Sequence, residues 1–137
     1  MIINAENLIL GRFVTVVAKK AILGEKVDIV NCEKAVITGN RQEIITKYKD
    51  RVARGAMFHG PYFPRRADRV VKRTVRGMLP YKQDKGRKAL GRVKCYIGVP
   101  EEFKGKQIET IEKANISNAK SIRYVVVGEI CKLIGAK

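Results

Sequence analysis

Residues 2–30, IINAENLILGRFVTVVAKKAILGEKVDIV, read as strand, helix, strand. Ile2 and Ile3 open a short apolar run. After Leu10 and Gly11, apolar residues at Phe13, Val14, Val17, Ala18 and Ala21 recur at helical spacing, with Arg12, Lys19 and Lys20 off that face and Gly24 placed to end the helix. Two β-branched runs follow, residues 27–30 and 35–38, each short enough to be a buried strand. An amphipathic helix between two strands predicts a right-handed crossover onto a parallel sheet, and hence an α/β fold.

Beyond this unit the chain turns cationic. Residues 41–92 hold 16 Lys/Arg against 4 Asp/Glu, which is +12 of the whole chain's +16. Asn40 is placed to cap a second helix, with Glu43 three residues later in capping-box position. Its inner face is Ile44, Ile45, Tyr48 and Val52; Arg41, Lys47, Lys49, Arg51 and Arg54 leave the outer face positive. Residues 55–64 form a loop with two glycines and two prolines. Its aromatics Phe58, Tyr62 and Phe63 are either anchors to the core or platforms for a base.

A third helix is expected to start after Pro64, because proline suits a first helical turn and not an interior. Val70, Val71, Thr74, Val75 and Met78 would face inward. Arg65, Arg69, Arg73 and Arg76 line one edge, with Arg66 and Lys72 flanking. A solvated helix face usually mixes signs to gain i,i+4 pairing, yet Asp68 is the only acid here. Like charges oppose such a helix unless phosphates neutralise them, and arginine's planar fork suits phosphate oxygens. Gly77 is expected to end the helix. Residues 79–92 then read as a loop or arm that orders on its partner, with cations Lys82, Lys85, Arg87, Lys88 and Arg92. Gly86 and Gly91 have the spacing of a phosphate-binding P-loop, but Arg92-Val93 replaces the required Lys-Ser/Thr, so the match is by chance.

Residues 93–99 read as another strand, ended by Pro100. Residues 101–118 are near neutral and receive no role. Residues 122–127 look extended, and Ile130, Leu133 and Ile134 then look helical, with Gly135 as a C-cap.

Composition narrows the function. A chain of 137 residues that is 45% hydrophobic is expected to fold as one domain without disulfides or metal. No apolar run approaches the length of a membrane span, and the N-terminus lacks the pattern of a signal peptide, so a cytoplasmic location without membrane contact is expected. Cys32, Cys95 and Cys131 are odd in number and far apart, and read as small core hydrophobes. His59 has no partners for a metal site; as a loop histidine it either touches RNA or makes a structural hydrogen bond. The acids are scattered and no nucleophile sits beside a base, so no enzyme, catalytic residue, cofactor or small-molecule substrate is expected. Two rivals differ in kind: a free-standing RNA-binding regulator, and a small α/β enzyme acting on RNA or nucleotides.

Three stretches carry a resemblance: LILGRFVTVVAKK, VDIVNCEKAVITGN, and above all HGPYFPRRADRVVKRTVRGMLPYKQDKGRKALGRVKCYIGVP, with GEICKLIG at the end. In these the chain resembles, nearly end to end, large-subunit ribosomal protein family thirteen (universal L thirteen) in its archaeal and eukaryotic form. The resemblance implies a three-layer α/β/α domain spanning residues 1–137, with a central, mainly parallel sheet of about four strands and the basic helix and arm at 58–92. It further implies a structural constituent of the large ribosomal subunit that joins early in assembly, with large-subunit rRNA and neighbouring large-subunit ribosomal proteins as partners. By position it puts rRNA contact on His59, Tyr62, Arg65, Arg66, Arg69, Lys72, Arg73, Arg76, and on Lys82, Lys85, Arg87, Lys88 and Arg92 of the arm.

Overall fold

The computed structural model describes residues 1–56, 58–119 and 123–136. Along the chain run β1 (Ile2–Asn4), α1 (Leu10–Ile22), β2 (Val27–Val30), β3 (Val36–Thr38), α2 (Arg41–Ala53), α3 (Ala67–Met78), α4 (Asp84–Gly91), β4 (Val93–Cys95), β5 (Tyr124–Val126) and α5 (Val127–Leu133). β1, β2 and β4 pair in parallel in that order. Ile3, Ile29 and Cys95 form one row across this sheet, and Ile2, Asp28 and Lys94 form the next. The strand-helix-strand reading and the α/β class are both present.

α1 forms because one face of it is apolar throughout. Phe13, Val14, Val17 and Ala21 are fully buried. Removing one such valine or phenylalanine from water contributes roughly 1.5–3 kcal/mol. α1 packs on α3, α4 and β2, so this single helix joins the sheet to the cationic half of the chain. Gly24 closes it with φ +105, a conformation that L side chains rarely adopt.

The sheet holds three strands rather than about four, because β3 pairs elsewhere. Val36 lies antiparallel opposite Val126, making a two-stranded ribbon of β3 and β5. A backbone bond from Val36 N–H to Leu8 O (2.9 Å) ties this ribbon to the segment entering α1. The extended reading of residues 122–127 holds from Tyr124 to Val126; residue 122 lies outside the described residues, and Val127 already begins α5. Residues 101–118, left without a role above, edge the sheet: Asn4 N–H donates to Glu109 O (3.0 Å) and Glu109 N–H to Ile2 O (2.9 Å). These bonds cover the open side of β1.

Three details of α3 differ from expectation. Arg66 is extended (φ −76, ψ 142) at the N-cap position, so the helix after Pro64 starts only at Ala67 and Arg65, expected on its arginine edge, precedes it. Asp68 thereby sits in the first turn, where a negative charge meets the positive end of the helix dipole. Gly77 does not stop the helix, which runs through Met78. Met78 is 42% exposed and does not face inward.

The largest departure is the arm. Residues 84–91 form helix α4, with Gly86 and Ala89 buried and the helix packed on α1. A Cβ built on Gly86 would lie 2.1 Å from the carbonyl oxygen of Pro80. The bare glycine allows the turn after α3 to fold flat against α4, and α4 is ordered by its own protein.

The cysteines behave as core residues. Cys32 and Cys131 are buried and Cys95 is half-buried, all three as free thiols. A hydrogen bond with the Cys95 thiol, together with burial, pushes the Cys32 thiol far above its ordinary value.

Candidate nucleic-acid interface

Ala67, Val70, Val71 and Val75 are buried and set the inner face of α3. Arg69, Arg73 and Arg76 are exposed, and among the described residues none of the three has an acidic ion-pair partner. Two of these arginines rest on aromatic rings. The Arg73 guanidinium lies 5.0 Å from the centre of Phe63, and that of Arg76 lies 4.5 Å from the centre of Tyr81. Each such contact contributes about 0.5–1 kcal/mol at an exposed site and leaves the cation charged.

The loop before α3 separates anchor from platform. Phe63 is half-buried and meets Tyr48 of α2 edge-on, 5.9 Å between centroids at 74°. Phe63 therefore anchors the loop. Phe58 is 90% exposed and Tyr62 70%, so both present flat faces to solvent. His59 is exposed, and its backbone N–H donates to Ala56 O (3.2 Å). Burial pushes the Tyr48 hydroxyl above its ordinary value, against the opposing charge of Arg51, whose guanidinium sits 5.4 Å from that ring.

The expected site residues fall into three groups. Tyr62, Arg65, Arg66 and Arg69 line one cleft of about 610 Å³ that Gly135 and Ala136 close at the end of α5. Arg65 reaches this end closely, since a Cβ on Gly135 would lie 3.2 Å from its Nη1. Arg66 Nε lies 3.3 Å from Asp68 Oδ1, which is buried and accepts no hydrogen bond. Arg69 and Lys72 turn toward β4 and share a smaller cleft with Lys94. The third group is α4 and the turn before it: Lys82, Lys85 and Lys88 are exposed, while Arg87 pairs with Asp84 at 3.0 Å. Arg92 is half-buried and donates to Ala21 O (3.2 Å), so part of its donor set already serves the end of α1. His59 is not brought into any of these groups.

The chain matches the family described as Ribosomal protein L13 over residues 1–102. The chain belongs to the Ribosomal protein L13 family. Among its relatives, the large ribosomal subunit protein uL13 of Methanosarcina barkeri is 46% identical over 137 residues, covering 99% of this chain and 98% of the relative. Those of Methanococcoides burtonii (43% over 136 residues, 99% and 98%) and Archaeoglobus fulgidus (44% over 135 residues, 98% and 86%) are similarly close. The names in this family are those of ribosomal components and not of enzymes.

For this member of the L13 family, the sequence-based site omitted three cations. Arg51 of α2 and Arg54 just beyond its end line a cleft of about 650 Å³ together with Arg73. Their place inside the basic stretch that begins at residue 41 was a signal for them. Lys94, beside Arg69 and Lys72, lies on a strand outside that stretch. Only the pairing of β4 with β2 brings it there.

Proposed function

We propose that this chain is a structural constituent of the large ribosomal subunit, in the cytoplasm, and that it holds large-subunit rRNA through α3, the loop bearing Tyr62, and α4. Residues 1–137 act as one domain, with neighbouring large-subunit ribosomal proteins as further partners and a contribution to early subunit assembly. The observation that carries this reading is α3 itself. Its arginines Arg69, Arg73 and Arg76 stand exposed on a helix fixed by three buried valines, and they have no acidic partner among the described residues. Such a surface repels itself until a polyanion neutralises it.

The mechanism is charge neutralisation on a preshaped surface. Arginines already resting on Phe63 and Tyr81 lose less rotamer freedom when they meet phosphate. The outward cations of α3 and α4 then take phosphates from separate rRNA segments, and Tyr62 and Phe58 offer stacking faces to unpaired bases. If roughly 6–10 phosphates are contacted, affinity falls on the order of a thousandfold or more between about 50 and 200 mM salt.

The test is sedimentation of native lysate on a sucrose gradient, with and without RNase, at high and low magnesium. Comigration with the large subunit after low magnesium separates the subunits, with release only on rRNA digestion, is expected. Arg69→Gln/Arg73→Gln/Arg76→Gln is expected to shift the protein toward the top of the gradient. A wild-type chain that stays at the top would overturn the reading.

A further inference from the structure

Given the rRNA-binding role proposed above, we infer that a strand of RNA backbone lies in the groove between α2 and α3 and crosses α3 at Gly77. The groove is built from two elements that the sequence separates by a loop. Arg51 of α2 and Arg54 just beyond its end face Arg73 of α3 across it, and Tyr48 and Phe63 lie between as the rings on which Arg51 and Arg73 rest. Among the described residues, none of the three guanidiniums has an ion-pair partner. The α2 acids Glu43 and Asp50 line a separate hollow that shares Arg51 and Arg54 but not Arg73.

Gly77 supplies the second, independent observation. Glycine weakens a helix relative to alanine, so its presence asks for a cause. Conformation is not the cause, because Gly77 is absent from the glycines with left-handed φ. Packing is not the cause either, because a Cβ built there would meet nothing within 4 Å. Gly86 shows the contrast: its own protein fills the space a Cβ would take. Gly11, at the start of α1, repeats the pattern of Gly77. It is open within 4 Å and has no left-handed φ. It lines the continuation of the groove, which keeps Tyr48, Arg51 and Thr74 in common and adds Lys47. Of the three helical glycines that the folded chain does not need, Gly11, Gly77 and Gly91, two thus border one cationic trough. A close approach of ligand backbone uses both features: missing side chains for proximity, and forked cations for the phosphates.

The test uses full-length tagged chain expressed beside the untagged protein, with Gly77→Ala, Gly77→Leu and Arg51→Gln/Arg54→Gln. Urea midpoints of the purified chains come first. Gly77→Ala is expected at or above wild type, since its new methyl group meets open space. Incorporation into large subunits at low magnesium is the second readout. Gly77→Leu is expected to lose about tenfold or more in competition with wild type, and the arginine pair to lose most at low salt, where phosphate contacts contribute most. Ultraviolet crosslinking of intact subunits is expected to yield nucleotide adducts on Met78 or Tyr48. Incorporation of Gly77→Leu at the wild-type level, or crosslinks from the groove to another protein, would overturn the inference while leaving the rRNA-binding role intact. Wild-type chain that fails to sediment with the subunit, or that RNase does not release, would remove both.

Discussion

Gly86→Ala sets two principles against each other, and the structure decides the sign. As a residue in a helix, alanine is favoured over glycine by about 1 kcal/mol. A Cβ at this position, however, would sit 2.1 Å from Pro80 O, 2.4 Å from Pro80 C and 2.9 Å from Tyr81 N. All three are backbone atoms, so no side-chain rotation relieves them, and α4 must move off the turn. That turn is held by Gln83 N–H to Pro80 O at 2.9 Å, and α4 starts with Arg87 N–H to Gln83 O at 3.1 Å. Overpacking of this kind costs about 1–3 kcal/mol, and a lost backbone bond about 0.5–1.5 kcal/mol more. After the gain in helix propensity, the variant is expected to be less stable by roughly 1–3 kcal/mol. Equilibrium urea unfolding reads this as a lower midpoint at unchanged slope, and hydrogen exchange shows protection lost first in residues 84–91. Gly91→Ala on the same helix is the control: nothing lies within 4 Å of its Cβ, and it is expected to be neutral or stabilising. Wild-type stability for Gly86→Ala would refute the close approach and return these residues to the flexible arm that their composition suggests.

Asn40→Ala removes the side chain that accepts from Gln42 N–H at 3.1 Å and is expected to cost about 1 kcal/mol in urea unfolding, with Asn40→Asp retaining most of it. Phe63→Ala removes the ring that joins Tyr48 to Arg73; being half-buried, it is expected to cost about 2 kcal/mol, below the range for a fully buried phenylalanine. A double-mutant cycle with Arg73→Ala is expected to return about 0.5–1 kcal/mol for the cation-ring pair. Burial, with a smaller contribution from Asp68, pushes the Cys131 thiol from 9.0 up to about 11. The folded value lies above the unfolded one, so the associated stability is complete below about pH 8.5 and is lost as pH rises toward 11. Cys131→Ala is expected to flatten the alkaline limb of stability against pH by up to about one proton. The buried Cys32 thiol and Tyr48 hydroxyl, both also raised, keep it from vanishing.

Local pattern made much of the fold legible. The periodic apolar face of α1 and the β-branched run of β2 state their own structure, because burial of a continuous stripe outweighs any local alternative. The Asn40 cap was legible for a similar reason, although Glu43 binds the Asn40 side-chain amide at 3.4 Å in place of completing the full box. Arg65 was misread as part of α3 because proline permits a helix start without enforcing one. The chain stays extended through Arg66, while the neighbouring Arg65 lies against Gly135. The sheet was overcounted because β3, a short β-branched run, suits a ribbon as well as a parallel sheet. Only its partners, Tyr124 to Val126, choose between them.

The sequence by itself determined that this chain is an α/β protein with its charge gathered in residues 41–92 and an arginine edge on α3, since these follow from spacing and composition along the chain. Its motifs also pointed to the family that the comparison established. The tertiary structure alone decided that residues 84–91 are a helix, because what orders them is contact with α1, which no local window contains. It alone separated Phe63 as an anchor from Tyr62 and Phe58 as exposed faces, since burial depends on Tyr48 arriving from another helix. It alone gathered Arg51, Arg54 and Arg73 into one groove, because distance between charges is set by how helices pack and not by how far apart they lie in the chain.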